Sequence, residues 1–170
     1  MLQVTNDSSR GESALLRFFD GGSRIALALS GGCDSAYLLA LAVRAGCDVR
    51  PYFVKSDFQP EFELEDARRL CKELGVELTV LHVQPLADKQ IVQNSPHRCY
   101  YCKRMLFSAL VEVAQKDGCA VIWDGTNASD VEIDRPGMKA LQELEVQSPL
   151  RICGLTKLQV REGSRRIGLF

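Results

Sequence analysis

The segment IALALSGGCDS, residues 25–35, decides the fold of this chain. Its first part, Ile25 to Leu29, is a continuous apolar run, which is typical of a strand buried on both faces of a sheet. The two glycines that follow let the backbone turn tightly, with no β-carbon to hold a ligand away. The stretch from Ala36 to Ala45 then has a helical pattern, and the start of a helix attracts anions. The sequence therefore predicts a strand, an anion-binding loop and a helix in that order.

The loop itself, SGGCDS at residues 30–35 and called the phosphate loop below, has the chemistry of a nucleotide site. Ser30 and Ser35 add hydroxyl donors, whereas the charge of Asp34 repels phosphate. A carboxylate beside phosphate indicates a magnesium ion that binds both kinds of oxygen. The loop lacks the Gly-Lys-Ser/Thr of Walker sites and the spaced glycines of dinucleotide folds. The thiol of Cys33 has two interpretations, a reactive group at a helix start or an unreactive side chain that only fills space, and the second is favoured.

Strands alternate with long helices along the rest of the chain, which predicts a parallel sheet covered by helices on both faces. Ligands of such sheets bind at the carboxyl ends of the strands. We expect a flexible leader at residues 1–12 and one domain at 13–170. The five predicted strands are Ile25–Leu29, Val49–Val54, Val76–Val83, Cys119–Trp123 and a short one near Val146. The predicted helices are Ser13–Phe19, Ala36–Ala45, Glu61–Leu74, Cys99–Gln115, Met138–Leu144 and one that starts at Thr156, with Gln159 as its capping-box partner.

Composition excludes several classes of protein. Lys and Arg number 21 against 22 Asp and Glu, a net charge of −1, so nucleic acid bound through bulk positive charge is not favoured. No apolar run approaches the length of a membrane span, and the first residues lack a signal-peptide pattern. The seven cysteines are an odd number spread over predicted helices and strands, as in reduced cytosolic proteins. We expect a cytoplasmic protein.

A second segment, RCYYCK at residues 98–103, starts the third long helix and has three interpretations. Cys99 and Cys102 have the spacing of half a zinc site, with His97, Cys119 or Cys153 as further ligands. They also have the spacing of a redox pair at a helix start. The favoured interpretation is that both thiols are buried on one helix face, so that Arg98 and Lys103 reach the pocket and bind an anion.

A third segment, DGTNASD at residues 124–130, directly follows the fourth predicted strand and so borders the same crevice. Asp124 and Thr126 are the favoured site residues of this loop. Asp130, and Asp134 beyond it, have the alternative interpretation of turn capping, which is common for Asp.

Taken together, these segments resemble the PP-loop ATP pyrophosphatases, a superfamily that includes thiouridine synthases, GMP synthetase and asparagine synthetase. The order SGGCDS, RCYYCK, DGTN, DRPG, SPL and GLTK is similar to that of LarE-type ATP-dependent sacrificial sulfur transferases, from about Arg24 to Leu169. The resemblance implies a Rossmann-like, adenine nucleotide alpha-hydrolase-like fold that uses ATP and Mg²⁺. It implies adenylation of a carboxylate or carbonyl of a pyridinium mononucleotide or dinucleotide derivative, with release of AMP and pyrophosphate. Sulfur transfer follows, as in nickel-pincer cofactor synthesis, in a homo-oligomer.

The resemblance also implies roles for individual residues. Asp34, Lys103 and Arg98 are the expected catalytic residues, and Asp34 is the expected magnesium contact through the phosphates. Arg98, Lys103 and Arg135 are expected to face the substrate. The expected ATP-binding residues are Ala28, Leu29, Ser30, Gly31, Gly32, Cys33, Asp34, Ser35, Val54, Lys55, Ser56, Asp124, Gly125 and Thr126.

The chain departs from the family pattern in two places. After the second strand it reads SDFQ at residues 56–59, where the family usually reads Ser-Glu-Thr, so the nucleotide contacts there are an open expectation. It ends at Phe170, where the family continues into a segment with its sulfur-donating cysteine. A second hypothesis is therefore an ATP- or AMP-binding module that needs a partner chain to supply that segment. A third is a small zinc or thiol-redox protein built on Cys99 and Cys102.

Overall fold

The computed structural model describes residues 3–19, 22–130 and 136–169, with side chains from residue 10 onward. Within these ranges four parallel strands form one sheet in the order β3-β2-β1-β4. They are β1 Ile25–Ala28, β2 Val49–Lys55, β3 Thr79–His82 and β4 Val121–Trp123. The central strand β1 pairs with β2 on one side and with β4 on the other, so that Ile25 is level with both Val49 and Val121. The predicted α/β class with a parallel sheet is confirmed.

The helices lie between the strands and after the last one. They are α1 Gln3–Phe18, α2 Cys33–Arg44, α3 Glu61–Leu74, α4 Lys89–Val92, α5 Arg98–Lys116, α6 Pro136–Glu143, α7 Pro149–Ile152 and α8 Lys157–Arg166, with a 3₁₀ turn at Pro85–Ala87. The bounds of α3 are those predicted. Helix α1 begins at Gln3 and not at Ser13. The sequence did not predict α4, α7 or the 3₁₀ turn, because each is only one turn long.

The fifth strand, predicted near Val146, is wrong. Gln147 makes a single parallel bridge with Trp123, through bonds from Gln147 N to Ile122 O and from Asp124 N to Gln147 O, both 2.9 Å long. Extension of this strand is prevented on both sides. Glu145 has a φ of 54°, which no strand residue adopts, and α7 begins at Pro149.

Helices cover both faces of the sheet, as predicted. Alternate residues of β1 point to opposite sides: Ile25 and Leu27 join the larger core, and Ala26 joins the smaller one. The larger core lies under α1, α2, α3, α7 and α8, whereas α5 covers the smaller core with Leu110 and Ala114. One face of α5 therefore lies close to the sheet beside the carboxyl ends of the strands.

Candidate functional site

A cavity of about 670 Å³ lies at the carboxyl ends of β1, β2 and β4. Open α/β sheets bind their ligands at this edge. Its walls come from the phosphate loop, the ends of the strands, the first half of α5 and the starts of α6 and α8. The lining residues are Ala28, Leu29, Ser30, Gly32, Cys33, Asp34, Ser35, Tyr52, Phe53, Val54, Gln59, Glu63, Cys99, Lys103, Leu106, Phe107, Leu110, Asp124, Gly125, Thr126, Asp130, Pro136, Gly137, Met138 and Lys157.

The phosphate loop is organised by its two serines. Ser35 is buried, and its Oγ accepts from Ser30 N at 3.1 Å and donates to Gly32 O at 3.2 Å. Gly32 is the N-cap of α2 and provides no side-chain cap. Since the first N–H groups of a helix have no partner within it, those of α2 are left for an anion in the cavity.

A glycine is required at position 31. Gly31 has a φ of 77°, in the left-handed region that L-residues rarely adopt. A β-carbon there would lie 2.5 Å from the carbonyl oxygen of Glu63 in α3. The phosphate loop is thus packed backbone to backbone against the first turn of α3, and this contact fixes its shape.

The loop after β4 is packed against the phosphate loop in the same way. A β-carbon on Gly125 would lie 2.8 Å from the backbone nitrogen of Ser35. The neighbouring Asp124 is buried, and its carboxylate accepts bonds from Ser148 Oγ at 2.6 Å and from the backbone N and hydroxyl of Thr126. Asp124 therefore holds this loop in place next to the phosphate loop, and both of its oxygens are already bonded.

Asp34 differs from Asp124 in how its two carboxylate oxygens are bonded. Its Oδ2 accepts from Lys157 Nζ at 2.5 Å, at the start of α8. Its Oδ1 is buried and has no hydrogen-bond partner among the described residues. A buried carboxylate oxygen left unpaired is costly, and a divalent cation is one group that satisfies it. Asp34 fits a magnesium contact on these grounds.

One face of α5 forms the opposite wall. Cys99, Lys103, Leu106, Phe107 and Leu110 recur at the spacing of three and four residues that places side chains on one side of a helix. The stem of Lys103 packs at the start of α6, where a β-carbon on Gly137 would lie 2.9 Å from its Cδ. Strand β2 adds Tyr52, Phe53 and Val54 to the lining. Tyr52 and Val54 pack on the same side of the sheet as Leu110, whereas Phe53 packs in the larger core on the other side. We call this part of the cavity, between α5 and β2, the apolar slot.

The structure brings most of the expected site residues to this cavity and leaves four of them off its wall. Gly31 turns toward α3, as described above. Lys55 donates to Gln59 O at 2.6 Å and pairs with Glu61, and Ser56 bonds to the side chain of Gln59. These two residues shape the loop after β2, from which Gln59 reaches the cavity.

The fourth is Arg98, whose guanidinium lies 5.1 Å from the ring centre of Phe58 and donates to Asn94. It therefore joins α5 to the loop after β2 at the edge of the cavity. Asp134 and Arg135 lie outside the described residues.

Sequence reasoning missed Lys157, Gln59 and Glu63 as residues of the site. A signal for Lys157 was present, because the capping box of Thr156 and Gln159 placed Lys157 at the first position of a helix, and the structure confirms that box. What the sequence did not show is which strand end this helix start would face.

The burial of the two cysteines of α5 differs from the favoured interpretation, which predicts that both are buried. Cys99 is exposed and lines the cavity, whereas Cys102 is half-buried. The prediction that both are buried is wrong for Cys99, because it lies in the first turn of α5, before the helix reaches the sheet. Among the residues the structure describes, no group of three or more His, Cys, Asp and Glu side chains is arranged to hold a metal ion.

Comparison with known proteins assigns the chain to a family. The family model of the queuosine biosynthesis protein QueC matches residues 24–133, from the start of β1 to beyond the loop after β4. The chain belongs to this PP-loop ATP pyrophosphatase family. The predicted resemblance is confirmed, and the phosphate loop described above lies within the matched residues.

Two relatives and one solved structure illustrate the range of this PP-loop family. The pyridinium-3,5-bisthiocarboxylic acid mononucleotide synthase of Lactiplantibacillus plantarum is 33% identical over 86% of this chain and 54% of its own length. An uncharacterised protein of Methanocaldococcus jannaschii is 32% identical over 86% of this chain and 56% of its own. The NH3-dependent NAD synthetase of Campylobacter jejuni superposes with a TM-score of 0.68 at 18% identity, over 97% of this chain and 73% of that one. The chain spans about half the length of these two relatives.

The likeness to NAD synthetase concerns the fold alone.

Across the three described ranges, no helix has both the length and the apolar character needed to cross a bilayer.

Proposed function

We propose that this PP-loop protein binds ATP in the cavity and adenylates a substrate carboxylate or carbonyl, with release of pyrophosphate, as a step in sulfur transfer. The observation that carries the proposal is the buried Oδ1 of Asp34, which has no hydrogen-bond partner among the described residues, beside the first turn of α2, which has no side-chain cap from Gly32. A cation would satisfy the first feature and an anion the second. Magnesium-bound phosphates satisfy both at once.

The phosphates would lie against the loop from Ser30 to Ser35. Its serine side chains are already held by each other and by Gly32 O, so the loop needs little rearrangement to bind. Binding a ligand through donors that are already held in place costs less free energy than binding it through mobile donors. Bound magnesium would neutralise charge on the phosphate oxygens, with Asp34 as the protein group that holds it.

The adenine ring would lie in the apolar slot, where the partly exposed side chains of Val54, Leu106 and Phe107 offer the apolar surface that a base requires. Val54 and Leu29, at the ends of neighbouring strands, border this slot. The slot and the phosphate loop both adjoin the end of β1, so one nucleotide can occupy the two.

Catalysis would consist of positioning and charge stabilisation. An oxygen of the substrate attacks the α-phosphorus in line, the bond to the β-phosphate oxygen breaks, and pyrophosphate leaves. Lys103 and Lys157 line the cavity from different elements, α5 and α8. Positive groups fixed on both sides of the phosphates stabilise the charge that develops during transfer.

The substrate class comes from the relatives. The Lactiplantibacillus plantarum relative is named for a pyridinium bisthiocarboxylic acid mononucleotide. A carboxylated pyridinium mononucleotide is therefore the first acceptor to test, with Lys103 and Arg135 as the groups that would face its anionic parts. A cytoplasmic location, a homo-oligomer and a partner chain remain predictions of this proposal.

Pyrophosphate release, followed with Mg-ATP and a carboxylated pyridinium mononucleotide, tests the proposal. We expect release that depends on the acceptor and falls at least about a hundredfold in Asp34→Asn, which keeps the shape of the side chain and removes its charge. Asp48→Asn is the matched control, because this exposed residue precedes β2 and so lies at the end of the sheet away from the cavity. ATP bound with no pyrophosphate released for any carboxylate acceptor would overturn adenylation. Failure of ATP to bind would overturn the whole proposal.

A further inference from the structure

Two half-buried polar side chains, Gln59 and Glu63, line the cavity between β2 and the phosphate loop. Gln59 is in the loop after β2, five residues beyond Val54 of the apolar slot, and Glu63 is in the first turn of α3. The Cβ of Glu63 is 3.0 Å from the position that a β-carbon on Gly31 would have. This part of the wall therefore leads from the apolar slot at Val54, through Gln59, to the phosphate loop at Glu63.

The carboxylate of Glu63 is not used by the helix in which it lies. Glu63 is the third residue of α3, a position from which a glutamate commonly bonds back to the N–H of the residue before the helix. That residue is Pro60, which has no N–H. Glu61 pairs with Lys55 at 3.0 Å, whereas within the described ranges no group bonds to or pairs with the Glu63 carboxylate. The carboxylate therefore keeps its acceptor capacity for a ligand in the cavity.

The amide of Gln59 has a fixed orientation. Its Oε1 accepts from Ser56 N at 3.1 Å and from Ser56 Oγ, and its backbone oxygen accepts from Lys55 Nζ at 2.6 Å. Because a backbone N–H can only donate, the oxygen of the amide faces Ser56 and the NH2 group does not. No group of the described residues accepts a bond from that NH2 group. Gln59 therefore supplies the cavity wall with a hydrogen-bond donor that is held in place.

A charged acceptor and a donor on the same part of the wall fit the hydroxyls of a sugar. A hydroxyl both donates and accepts hydrogen bonds, so a pair of them satisfies Glu63 and Gln59 together. A phosphate group does not fit there, because it carries the same sign of charge as Glu63. Carboxylates bind ribose hydroxyls in other nucleotide-binding α/β sheets. In ATP the ribose joins the base to the phosphates, just as Gln59 and Glu63 lie between the apolar slot and the phosphate loop.

We propose that Glu63 and Gln59 form a ribose subsite that makes this cavity selective for ribonucleotides. The Glu63 carboxylate accepts from the 2′- and 3′-hydroxyls of ATP, and the Gln59 amide donates to one of them. This inference rests on the ATP binding of the proposed function. A nucleotide without these hydroxyls leaves the carboxylate unpaired beside like-charged phosphates, and a site built to bond a hydroxyl rejects the analogue that lacks it.

Isothermal titration calorimetry with the magnesium complexes of ATP and 2′,3′-dideoxy-ATP tests the subsite, and leaving out any acceptor ensures that the ribose tested is that of ATP. The wild type should prefer ATP at least about twentyfold, for one hydrogen bond to a charged group and one between neutral groups. Glu63→Ala, which keeps the Cβ beside Gly31, should lower this preference at least about tenfold. Dideoxy-ATP should bind to Glu63→Ala at least as tightly as to the wild type, because a charge that repels its phosphates is gone.

Glu65→Ala is the matched control, because Glu65 is an exposed glutamate of the same helix and is not part of the cavity wall. It should keep the preference of the wild type. Gln59→Glu keeps an oxygen toward Ser56 and replaces the NH2 group by an acceptor, so the preference should fall by about two- to tenfold. Damage to the fold would weaken the binding of both nucleotides and would leave their ratio unchanged.

Three results would overturn the subsite. Equal affinity of the wild type for ATP and dideoxy-ATP is the first, and an unchanged preference in Glu63→Ala is the second. The third concerns ITP, which differs from ATP in the base alone: a preference for ATP over ITP that disappears in Glu63→Ala would place Glu63 at the base. Each of these results leaves ATP binding intact, whereas failure of the wild type to bind ATP would overturn the proposed function together with this inference.

Discussion

The ammonium of Lys157 lies 2.5 Å from Oδ2 of Asp34, although the two residues are 123 positions apart in the chain. The contact joins the first turn of α8 to the first turn of α2, and each residue is partly exposed to the cavity between them. It holds one oxygen of Asp34, while the other oxygen has no partner among the described residues. The pair is thus both an ion pair of the fold and a part of the candidate ATP site.

Replacing Lys157 by Met should weaken Mg-ATP binding. A hydrogen bond to a charged group is worth about 1.5–3 kcal/mol, so we expect the dissociation constant to rise by about ten- to a hundredfold. Isothermal titration calorimetry measures it directly. Lys116→Met is the matched control, because its pair with Glu112 is on the surface and away from the cavity. Unchanged ATP affinity in Lys157→Met would contradict a role at the phosphates.

Gly31→Ala should destabilise the chain more than Gly75→Ala does. Both glycines have positive φ, 77° and 71°, where a β-carbon costs about 1–2 kcal/mol. At Gly31 the new methyl group would also meet a backbone atom, the carbonyl oxygen of Glu63 at 2.5 Å, whereas at Gly75 no atom of the described residues lies within 4 Å of it. Urea unfolding measures both costs, and ATP binding should be lost only in Gly31→Ala. Equal losses of unfolding free energy would show that the loop yields to the methyl group.

Gly163→Ala should lower stability, contrary to the usual effect in a helix. In an exposed helix interior, Ala is about 1 kcal/mol better than Gly. In α8, however, a β-carbon at Gly163 would lie 2.5 Å from Cζ of the buried Tyr37, whose hydroxyl bonds to Glu12. Denaturant unfolding should show a loss of about 1–3 kcal/mol, in the range of overpacked cores. A more stable Gly163→Ala chain would mean that Tyr37 can move aside.

Stability should fall as the pH rises from about 9 to about 11, and Cys71 should contribute to this fall. Burial raises the pKa of its thiol from the usual 9.0 to about 11. Between these values the unfolded chain releases the proton and the folded chain keeps it, so higher pH favours unfolding; below pH 9 the contribution is constant.

In Cys71→Ala, the slope of unfolding free energy against pH should be smaller by up to about one proton over this window. Chemical denaturation at several pH values gives both slopes. The pKa of Tyr37 and of Tyr52 is also raised, chiefly by burial, so both tyrosines contribute to the slope that remains at high pH. Identical slopes in the two chains would mean that the Cys71 thiol does not titrate in this way.

Elements with strong local signals were predicted well, and those with weak signals were not. Helix α3 has Pro60 before it, Gly75 after it and an apolar stripe between, and it runs from Glu61 to Leu74 as expected. The prediction of a strand near Val146 depended on apolar character alone. The backbone of Glu145 is left-handed there, so only a single bridge to the sheet forms.

The cavity wall shows the limit of prediction from single segments. The phosphate loop, Asp124 and Lys103 each lie at the end of a strand or in the first turns of a helix, so their convergence followed from the parallel sheet. Lys55 and Ser56 were expected at the nucleotide, but their polar groups are bonded to Gln59. The sequence does not show which member of a short polar loop turns inward, because that depends on the bonds the loop makes within itself.

The amino-acid sequence by itself determined the parallel α/β fold, the position of the phosphate loop and the family. These follow from local properties, namely apolar periodicity, paired glycines and a helix start, which each segment carries without its neighbours. The tertiary structure alone decided the contacts between distant segments: Lys157 on Asp34, Gly125 against Ser35, and the exposure of Cys99. Such contacts depend on how helices α2, α5 and α8 and the loop after β4 are packed around the sheet, and no local pattern in the chain encodes that packing.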